Sequence, residues 1–488
     1  MLPYLGLGLA TNLGARDLPD PLAVHAVRPD LLDFVEYSAP LDLAEAARAA
    51  PRFEALRGSG LPVLFHPVHL NLYGPALESD ETLGALAAHA RAVGSPWVGN
   101  DVAWWHAAGA SFPGYLYLPP PLDTRGLADC AAHAAHVQDA LDRPLLLENP
   151  VVLERSGPLH VLDFMAALHA QSGCELILDL GHLLAFQLAA ALPLRAGLDG
   201  FPLDAVREIH LAGGTVTGRA YADDHGQPVR EELFELLSDL LPRCRALCAV
   251  TFEGDGHPDE VAQRTLERLR PLLSAPPEAR DASAPEHARG PPPPPDWRPA
   301  SDPWSVFERL YAHRGPSPDP AGTRADQDLR LAVLAEALDR DWPLTRPLLC
   351  PDRERLAEFS GSPELRARFE SGARPLAQAF GAWARRHLRE APDDGAERAV
   401  SFESWARALA GADWREGTFP LDLGELVFAV RALRRHLGAR AAATGVFEAS
   451  ALEALAQIAR RAPSRPWRVA VRFGPAGLEA REAGLGHP

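Results

Sequence analysis

Residues 144–182 read PLLLENPVVLERSGPLHVLDFMAALHAQSGCELILDLGH, two short apolar runs separated by a helical pattern. The first run ends in Glu148 and the second ends in Asp179. Short apolar runs that alternate with helical patterns are typical of parallel β-strands joined by helical crossovers. Since parallel strands point their C-terminal ends to one common face, we expect these two carboxylates to lie close together.

The same alternation extends over the N-terminal part of the chain. Apolar runs predict eight strands, at residues 4–9, 32–36, 62–67, 96–101, 144–149, 174–179, 206–211 and 248–253. Eight β-then-α units in about 275 residues match the size of a single (β/α)₈ TIM barrel. A doubly wound sheet is the alternative, but it favours a glycine-rich phosphate loop at a switch point. The sequence contains no GxGxxG pattern.

A proline-rich segment divides the chain. Residues 276–303 include five consecutive prolines and predict an extended linker. It separates the predicted barrel domain, residues 1–275, from residues 304–488, whose apolar periodicity is mostly helical. Helical patterns at 423–437 and 449–462 and one strand-like run, WRVAVRFG at 467–474, lie in this region. The predicted fold is a TIM barrel followed by a mostly α-helical C-terminal domain.

Composition excludes several classes of function. The net charge of −17, from 48 basic and 65 acidic residues, argues against non-specific nucleic-acid binding. The chain has no lysine, which excludes Schiff-base chemistry and a P-loop. Its five cysteines form no CxxC pair, and no run is long and apolar enough to cross a bilayer. We therefore expect a cytoplasmic protein with neither a nucleic-acid nor a membrane partner.

Nine residues of metal-ligand type follow the predicted strands. They are His66, Asp101, Glu148, Asp179, His182, His210, Asp223, His225 and Glu253. Taken singly each has an ordinary structural explanation, such as a helix N-cap for Asp179 or a turn for Asp223. Their recurrence at one end of successive strands favours a shared metal site instead. Imidazole and carboxylate ligands without thiolate suit Fe, Mn, Zn or Co, and nine ligands predict two or three ions.

Several short motifs occur in a recognisable order. They are GLGL at 6–9, DFVEY at 33–37, the His66 strand, VGNDVAW at 98–104, LLLEN at 145–149, LILDLGH at 176–182, IHLAGG at 209–214, Asp223 and His225 with the following PV, and Glu253. Together they resemble the multinuclear non-heme iron-dependent oxidative enzymes, the family of the methanobactin biosynthesis oxidase. The resemblance covers about the first 275 residues, the length of one TIM barrel.

This resemblance implies a TIM barrel that holds two or three irons of mixed Fe(II)/Fe(III) valence, with dioxygen as co-substrate. The implied substrate is a ribosomally synthesised precursor peptide, oxidised at cysteine or another residue. The nine residues above would be metal ligands. His182 and His225 are candidate general bases where they are not ligands.

Family members often use a separate small partner protein to recognise the precursor. The C-terminal domain is a candidate for such a peptide-recognition partner fused in cis, an idea motivated by the clustered Arg434, Arg435 and Arg440. A dimerisation or structural domain is the alternative for this region.

Two residues depart from the family pattern. Asp101 stands where the family usually has histidine, and a harder, anionic ligand there would lower the reduction potential of its ion. Gly254 stands where tryptophan commonly follows the last glutamate. Two rival functions therefore stay open: a Zn or Mn TIM-barrel hydrolase or isomerase, and a degenerate, non-catalytic barrel that binds a peptide or a metal.

Overall fold

A computed structural model gives the structure of the chain. It describes residues 2–11, 19–40, 43–68, 70–113, 116–217, 220–273, 291–372, 375–408, 415–420, 466–474 and 477–482.

The first 273 residues form a closed barrel. Their described strands, in chain order, are β1 Gly6–Thr11, β2 Phe34–Pro40, β3 Val63–Val68, β4 Val98–Asp101, β5 His106–Ala107, β6 Ala110–Ser111, β7 Leu145–Glu148, β8 Glu175–Asp179, β9 Val206–Ala212, β10 Thr215–Thr217, β11 Ala220–Ala222 and β12 Ala249–Glu253. Eight of these strands close into a parallel barrel in the order β1-β12-β9-β8-β7-β4-β3-β2. The remaining four pair as two hairpins, β5 with β6 and β10 with β11. The predicted TIM barrel is confirmed.

Helices connect the barrel strands. They are α1 Pro21–Val27, α2 Leu43–Ser59, α3 Asp80–Val93, α4 Thr124–Ala140, α5 Val161–Ser172, α6 Leu180–Ala190, α7 Glu231–Leu240 and α8 Asp259–Leu273. Helix α3 shows how the sequence sets such bounds. The Ser79 side chain accepts the Thr82 N–H as an N-cap, and Gly94 ends the helix in the left-handed conformation. Its buried residues recur at helical spacing: Leu83, Leu86, Ala87 and Ala90.

Alternation along each strand decides which residues face the barrel interior. On β9, Glu208 and His210 are two residues apart and therefore point to the same side. The register places His210 beside Asp179 of β8 on one flank and beside Thr251 of β12 on the other. Apolar side chains of several strands pack into one buried cluster. Its buried members are Phe34, Leu64, Trp97, Leu146, Ile177, Cys248 and Ala249.

The chain divides into two compact units. The first comprises residues 1–106, 117–306 and 316–326, and the second comprises residues 107–116, 307–315 and 327–488. The second unit therefore includes ten residues of the loop that follows β4. Within that unit, Phe112 packs against Phe307, Tyr311 and Phe369, with ring centroids 4.8 to 6.3 Å apart.

The C-terminal half is mostly helical, as predicted. Its described helices are α9 Pro303–Leu310, α10 Pro320–Asp341, α11 Thr345–Leu349, α12 Arg353–Ser360, α13 Pro363–Ser371, α14 Leu376–Glu390 and α15 Asp394–Ala408. A three-stranded antiparallel sheet of β13 Arg415–Pro420, β14 Pro466–Gly474 and β15 Gly477–Glu482 accompanies them. The strand predicted at 467–474 is β14. The helical patterns at 423–437 and 449–462, with Arg434, Arg435 and Arg440, lie outside the described residues.

The chain that follows the proline run packs within the first unit. The backbone N–H groups of Ala300 and Ser301 donate to the buried carboxylate of Asp129 on α4, over 2.6 and 2.9 Å. Tyr73 and Ser301 share a hydrogen bond of 3.0 Å between their hydroxyl oxygens. The predicted domain boundaries at 275 and 303 stay predictions. In the described part of the chain, no helix combines the length and apolar character needed to cross a membrane.

Candidate metal centre

The C-terminal ends of β3, β4 and β7 bring three predicted ligands together. Nε2 of His66 lies 3.7 Å from Oδ2 of Asp101 and 3.6 Å from Oε2 of Glu148. All three side chains are buried, and one atom from each lies within 4.8 Å of the others. We call this group corner one.

A second group lies on the other side of Glu148. Nδ1 of His210 is 3.2 Å from Oε1 of Glu148 and 3.7 Å from Oε1 of Glu253. Asp179, His210 and Glu253 each offer one ligand atom within 4.8 Å of the others. We call these three residues corner two. Glu148 thus presents one oxygen to each of the two corners, the arrangement of a bridging carboxylate.

A third group surrounds Asp223, in the loop after β11. Nε2 of His182 and Nε2 of His225 each lie 3.0 Å from Oδ2 of Asp223. We call these three residues corner three. The opposite ring nitrogens are also engaged, since Nδ1 of His182 is 2.8 Å from the Asn149 carbonyl and Nδ1 of His225 is 3.1 Å from Asp255. A hydrogen bond on Nδ1 sets the tautomer and leaves Nε2 available to accept a proton or a metal ion.

Local backbone features place these side chains. Asp179 ends β8 and is also the N-cap of α6, where its Oδ1 accepts the His182 N–H. The predicted N-cap role is confirmed, and the same residue lies at the C-terminal end of the strand, where a metal ligand was predicted. His225 has a φ of 51°, the left-handed region that non-glycine residues rarely adopt, and such strain concentrates at functional sites. A Cβ at Gly99 would lie 2.5 Å from Cδ1 of Ile177 and 3.2 Å from Nδ1 of His66, so glycine lets both side chains pack close to this strand.

Carboxylates also lie on the other side of the imidazoles, deeper in the barrel. Oε2 of Glu36 is 3.2 Å from Nε2 of His210, and Oε1 of Glu36 is 3.9 Å from Nδ1 of His66. Glu208 accepts hydrogen bonds from Thr251 over 2.7 Å and from Trp97 over 2.8 Å. His66 and His210 are each placed between an inner carboxylate and the outer ligand corners. Such carboxylate–histidine pairs orient metal-bound imidazoles.

Five of the nine residues carry buried polar atoms without a hydrogen-bond partner, which fits side chains that bind cations. Among the described residues, six polar atoms of these five side chains are buried without a hydrogen-bond partner. They are Nδ1 and Nε2 of His210, Nδ1 of His66, Oε2 of Glu148, Oδ2 of Asp179 and Oδ1 of Asp223. Unpaired buried polar atoms are costly and rare in folded proteins. Cations at the corners would satisfy Nδ1 of His210 and the carboxylate oxygens, whereas Nδ1 of His66 and Nε2 of His210 face Glu36.

The electrostatics of the metal-free site favour bound protons. Burial disfavours a charged His66, but hydrogen bonding to Asp101 and the charges of Glu148 and Glu36 raise its pKa to about 9. Burial raises the pKa of Asp179 to about 7 and that of Glu253 to about 8, against the opposing charge of nearby histidines. Divalent ions would displace these protons, because metal ligands must be deprotonated.

The pKa values of two imidazoles near Asp223 and of one inner glutamate are also shifted. Despite burial, the charge of Asp179 and Asp223 raises the pKa of His182, and the charge of Asp223 raises that of His225. Burial would raise the pKa of Glu36, but His210 and His66 outweigh it and lower the pKa to about 2. The site is thus a dense cluster of opposite charges that is removed from water.

Sequence reasoning missed three residues at this site. Glu208 and Thr251 each lie two positions before a predicted ligand, His210 and Glu253, and strand alternation could have found both. Tyr117, whose hydroxyl donates to Oδ1 of Asp101 over 3.0 Å, carried no such signal. It follows a loop of irregular sequence, so its position depends on tertiary structure alone.

Comparison of the sequence with known protein families identifies the family of this chain. Residues 6–270 match the family described as RiPP precursor modification enzyme MbnB/TglH/ChrH, where RiPP denotes a ribosomally synthesised and post-translationally modified peptide. The chain belongs to this family. The MbnB/TglH/ChrH match ends before the proline run, so it covers the barrel and leaves the C-terminal half to be interpreted from its structure.

Curated relatives of this MbnB/TglH/ChrH member are UPF0276 proteins. One from Caulobacter vibrioides is 29% identical over 273 residues, which are 55% of this chain and 95% of the relative. One from Bordetella parapertussis is 30% identical over 275 residues, 55% of this chain and 93% of the relative. Among solved structures, a D-allulose 3-epimerase from Methylomonas sp. covers 56% of this chain and 99% of its own, at 17% identity and a TM-score of 0.35. Endonuclease IV from Thermus thermophilus gives the same coverage at 18% identity and a TM-score of 0.35.

Proposed function

We propose that this protein is a dioxygen-dependent enzyme with two or three irons that oxidises a residue, cysteine first among the candidates, of a ribosomally synthesised precursor peptide. Membership of a family that modifies such precursors supports the peptide substrate. One structural observation carries the metal part of the proposal: Glu148 presents one oxygen to corner one and the other to corner two.

Iron bound at these corners would supply the redox chemistry, with dioxygen taking up the electrons and protons that leave the peptide side chain. The chain itself supplies positions and charge. Asn149 and Asp255 engage the outer nitrogens of His182 and His225, and Glu36 lies behind His66 and His210. Because both ring nitrogens of His182 and His225 face polar partners, we favour ligand roles for these histidines over general-base roles.

The first experiment measures metal content and redox state. Full-length protein is purified without oxygen and analysed for metals, with Mössbauer spectra of an iron-57 sample. Two or three irons per chain support the proposal. Zinc or manganese alone, after growth in iron-rich medium, would support a hydrolase or isomerase, and a folded chain without metal would support a non-catalytic barrel.

A pair of variants on one strand sharpens this test. Asp179→Asn removes a ligand charge at the C-terminal end of β8. Glu175→Gln removes a charge at the N-terminal end of the same strand, where Glu175 pairs with Arg207. We expect Asp179→Asn to lose bound iron and dioxygen uptake with a precursor peptide, while Glu175→Gln keeps both. Equal behaviour of the two variants would contradict the proposed centre.

We also propose that the second unit recognises the precursor peptide. The fusion of a separate, mostly helical unit to the barrel supports this role, as do the clustered arginines Arg434, Arg435 and Arg440. Deletion of residues 304–488 is a poor test, because the second unit also contains residues 107–116 of the barrel loop after β4.

Substitution in the full chain avoids that problem. Replacement of Arg434, Arg435 and Arg440 by glutamine is expected to weaken binding of a precursor peptide and to leave iron content unchanged. The matched control replaces three exposed arginines of the second unit, Arg340, Arg355 and Arg389. Peptide affinity that falls equally in both triple variants would indicate a general charge effect, and unchanged affinity in the first would reject this role for the cluster.

A further inference from the structure

Tyr117 contacts corner one of the metal centre. Its hydroxyl donates to Oδ1 of Asp101 over 3.0 Å and accepts the backbone N–H of Val151 over 2.7 Å. We propose that Tyr117 is a positioning residue that holds one oxygen of Asp101 and thereby reserves the other oxygen, Oδ2, for the metal of corner one. This inference rests on the proposed metal centre and adds a residue that tunes one of its ligands.

The backbone around Tyr117 is held in place. Trp104 and Leu118 form a β-bridge, in which each backbone N–H donates to the other residue's carbonyl over 2.9 and 3.0 Å. This bridge closes the loop three residues after Asp101 and one residue after Tyr117. The Tyr117 ring also packs edge-on against Trp105, with centroids 4.7 Å apart. The hydroxyl therefore reaches Asp101 from a fixed direction.

Asp101 needs such a partner because a carboxylate has two equivalent oxygens and a broadly populated terminal torsion. Oδ2 faces Nε2 of His66 at 3.7 Å, on the side of corner one. Oδ1 lies 3.6 Å from Nδ1 of His182, but that nitrogen is already hydrogen-bonded to the Asn149 carbonyl. The Tyr117 hydroxyl on Oδ1 favours binding of an ion through Oδ2, the oxygen that faces corner one. Binding through one oxygen would leave an ion at corner one a coordination position that a two-oxygen ligand would fill.

The variant Tyr117→Phe removes the hydroxyl and keeps the ring. Metal-free, full-length protein is titrated anaerobically with Fe²⁺, and bound iron is counted by elemental analysis. We expect the affinity of one iron per chain to fall about 10- to 100-fold, the usual effect of removing a hydrogen-bond partner of a ligand. The remaining irons should bind as in the unsubstituted protein. Tyr73→Phe, which removes another buried tyrosine hydroxyl of the first unit, is the matched control and should bind like the unsubstituted protein.

A double-variant cycle tests whether Tyr117 acts through Asp101. In an Asp101→Ala background, Tyr117→Phe should cause no further loss of affinity, because the oxygen it holds is gone. Additive losses would overturn the proposal. A second readout is thermal unfolding of the metal-free proteins, in which Tyr117→Phe should match the Tyr73→Phe control. A larger loss of metal-free stability, with unchanged iron affinity, would make Tyr117 merely structural.

The outcomes separate this inference from the proposed function. Unsubstituted protein that binds no transition metal would reject the proposed function. Unsubstituted protein that binds its irons, with Tyr117→Phe binding them equally well, would overturn the inference alone. A visible charge-transfer absorption of the Fe(III) form that disappears in Tyr117→Phe would also overturn it, because Tyr117 would then be a ligand itself.

Discussion

Asn149 and Asp179 hold each other across neighbouring strands through two hydrogen bonds. The Asp179 backbone N–H donates to Oδ1 of Asn149 over 2.9 Å, and Nδ2 of Asn149 donates to the Asp179 carbonyl over 3.0 Å. The Asn149 carbonyl in turn lies 2.8 Å from Nδ1 of His182. One asparagine, directly after Glu148, therefore holds the backbone of Asp179 and sets the tautomer of His182, two of the proposed ligands.

Replacing Asn149 by alanine should damage both stability and metal binding. The change leaves the buried N–H and carbonyl of Asp179 unpaired, which costs about 1–3 kcal/mol per group. We expect the free energy of unfolding to fall by that order and bound iron to decrease. Urea unfolding and metal analysis measure the two effects. Normal iron content in a destabilised variant would show that the pair serves the fold and not the centre.

Glu36 should strengthen metal binding by both His66 and His210, because its carboxylate lies next to both imidazoles. We expect Glu36→Gln to lower the affinity for iron about 10- to 100-fold, because both His66 and His210 lose an inner anionic partner. Glu175→Gln on β8 is the control. Loss of one whole iron equivalent at saturating iron would instead make Glu36 a ligand, as its position within 4.8 Å of His66 and His210 also allows.

Stability of the metal-free protein should fall as the pH rises. Folding raises the pKa of Asp179 from 3.8 to about 7, of Glu253 from 4.5 to about 8 and of His66 from 6.5 to about 9. A group that binds its proton more tightly when folded contributes stability that is full below its unfolded pKa and lost as the pH passes its folded pKa. The melting temperature of metal-free protein should therefore decrease as the pH rises from 3.8, the unfolded pKa of Asp179, to about 9, the folded pKa of His66.

Metal ions should remove that dependence. Iron-loaded protein has already released these protons, so its melting temperature should change much less over the same window. Iron affinity should rise with pH over the same range, since fewer protons then compete. A metal-free protein whose stability stays level across the window would show that the three groups titrate normally.

Asp129 should hold the segment after the proline run to helix α4. Asp129→Asn replaces one accepting oxygen by an NH₂ group that faces a backbone N–H, of Ala300 or Ser301. We expect a loss of about 1–3 kcal/mol in the free energy of unfolding and faster proteolysis near residues 291–303. Iron content should stay unchanged, because Asp129 contacts none of the three corners. A loss of iron would show that this segment supports the metal centre.

The sequence predicted the barrel and the convergence of strand-end residues because both depend on local periodicity. Apolar runs of strand length, separated by helical patterns, predicted all eight barrel strands to within a few residues. Ligand-type residues at the ends of those runs predicted that His66, Glu148, Asp179 and His210 would converge, since closure of a parallel sheet brings its strand ends together. Alternation on β9 could also have predicted Glu208.

By itself, then, the sequence determined which elements form, which face of each strand points inward and which residue types reach the barrel mouth. Only the tertiary structure decided how they combine. It placed one oxygen of Glu148 at each of two corners and placed Asp223 between His182 and His225. It also brought the Tyr117 hydroxyl into hydrogen-bond distance of Asp101. It also gave residues 107–116 to the second unit. The physical reason is that spacing along the chain encodes the direction of a side chain, whereas barrel closure and loop packing set the distance between residues far apart in sequence.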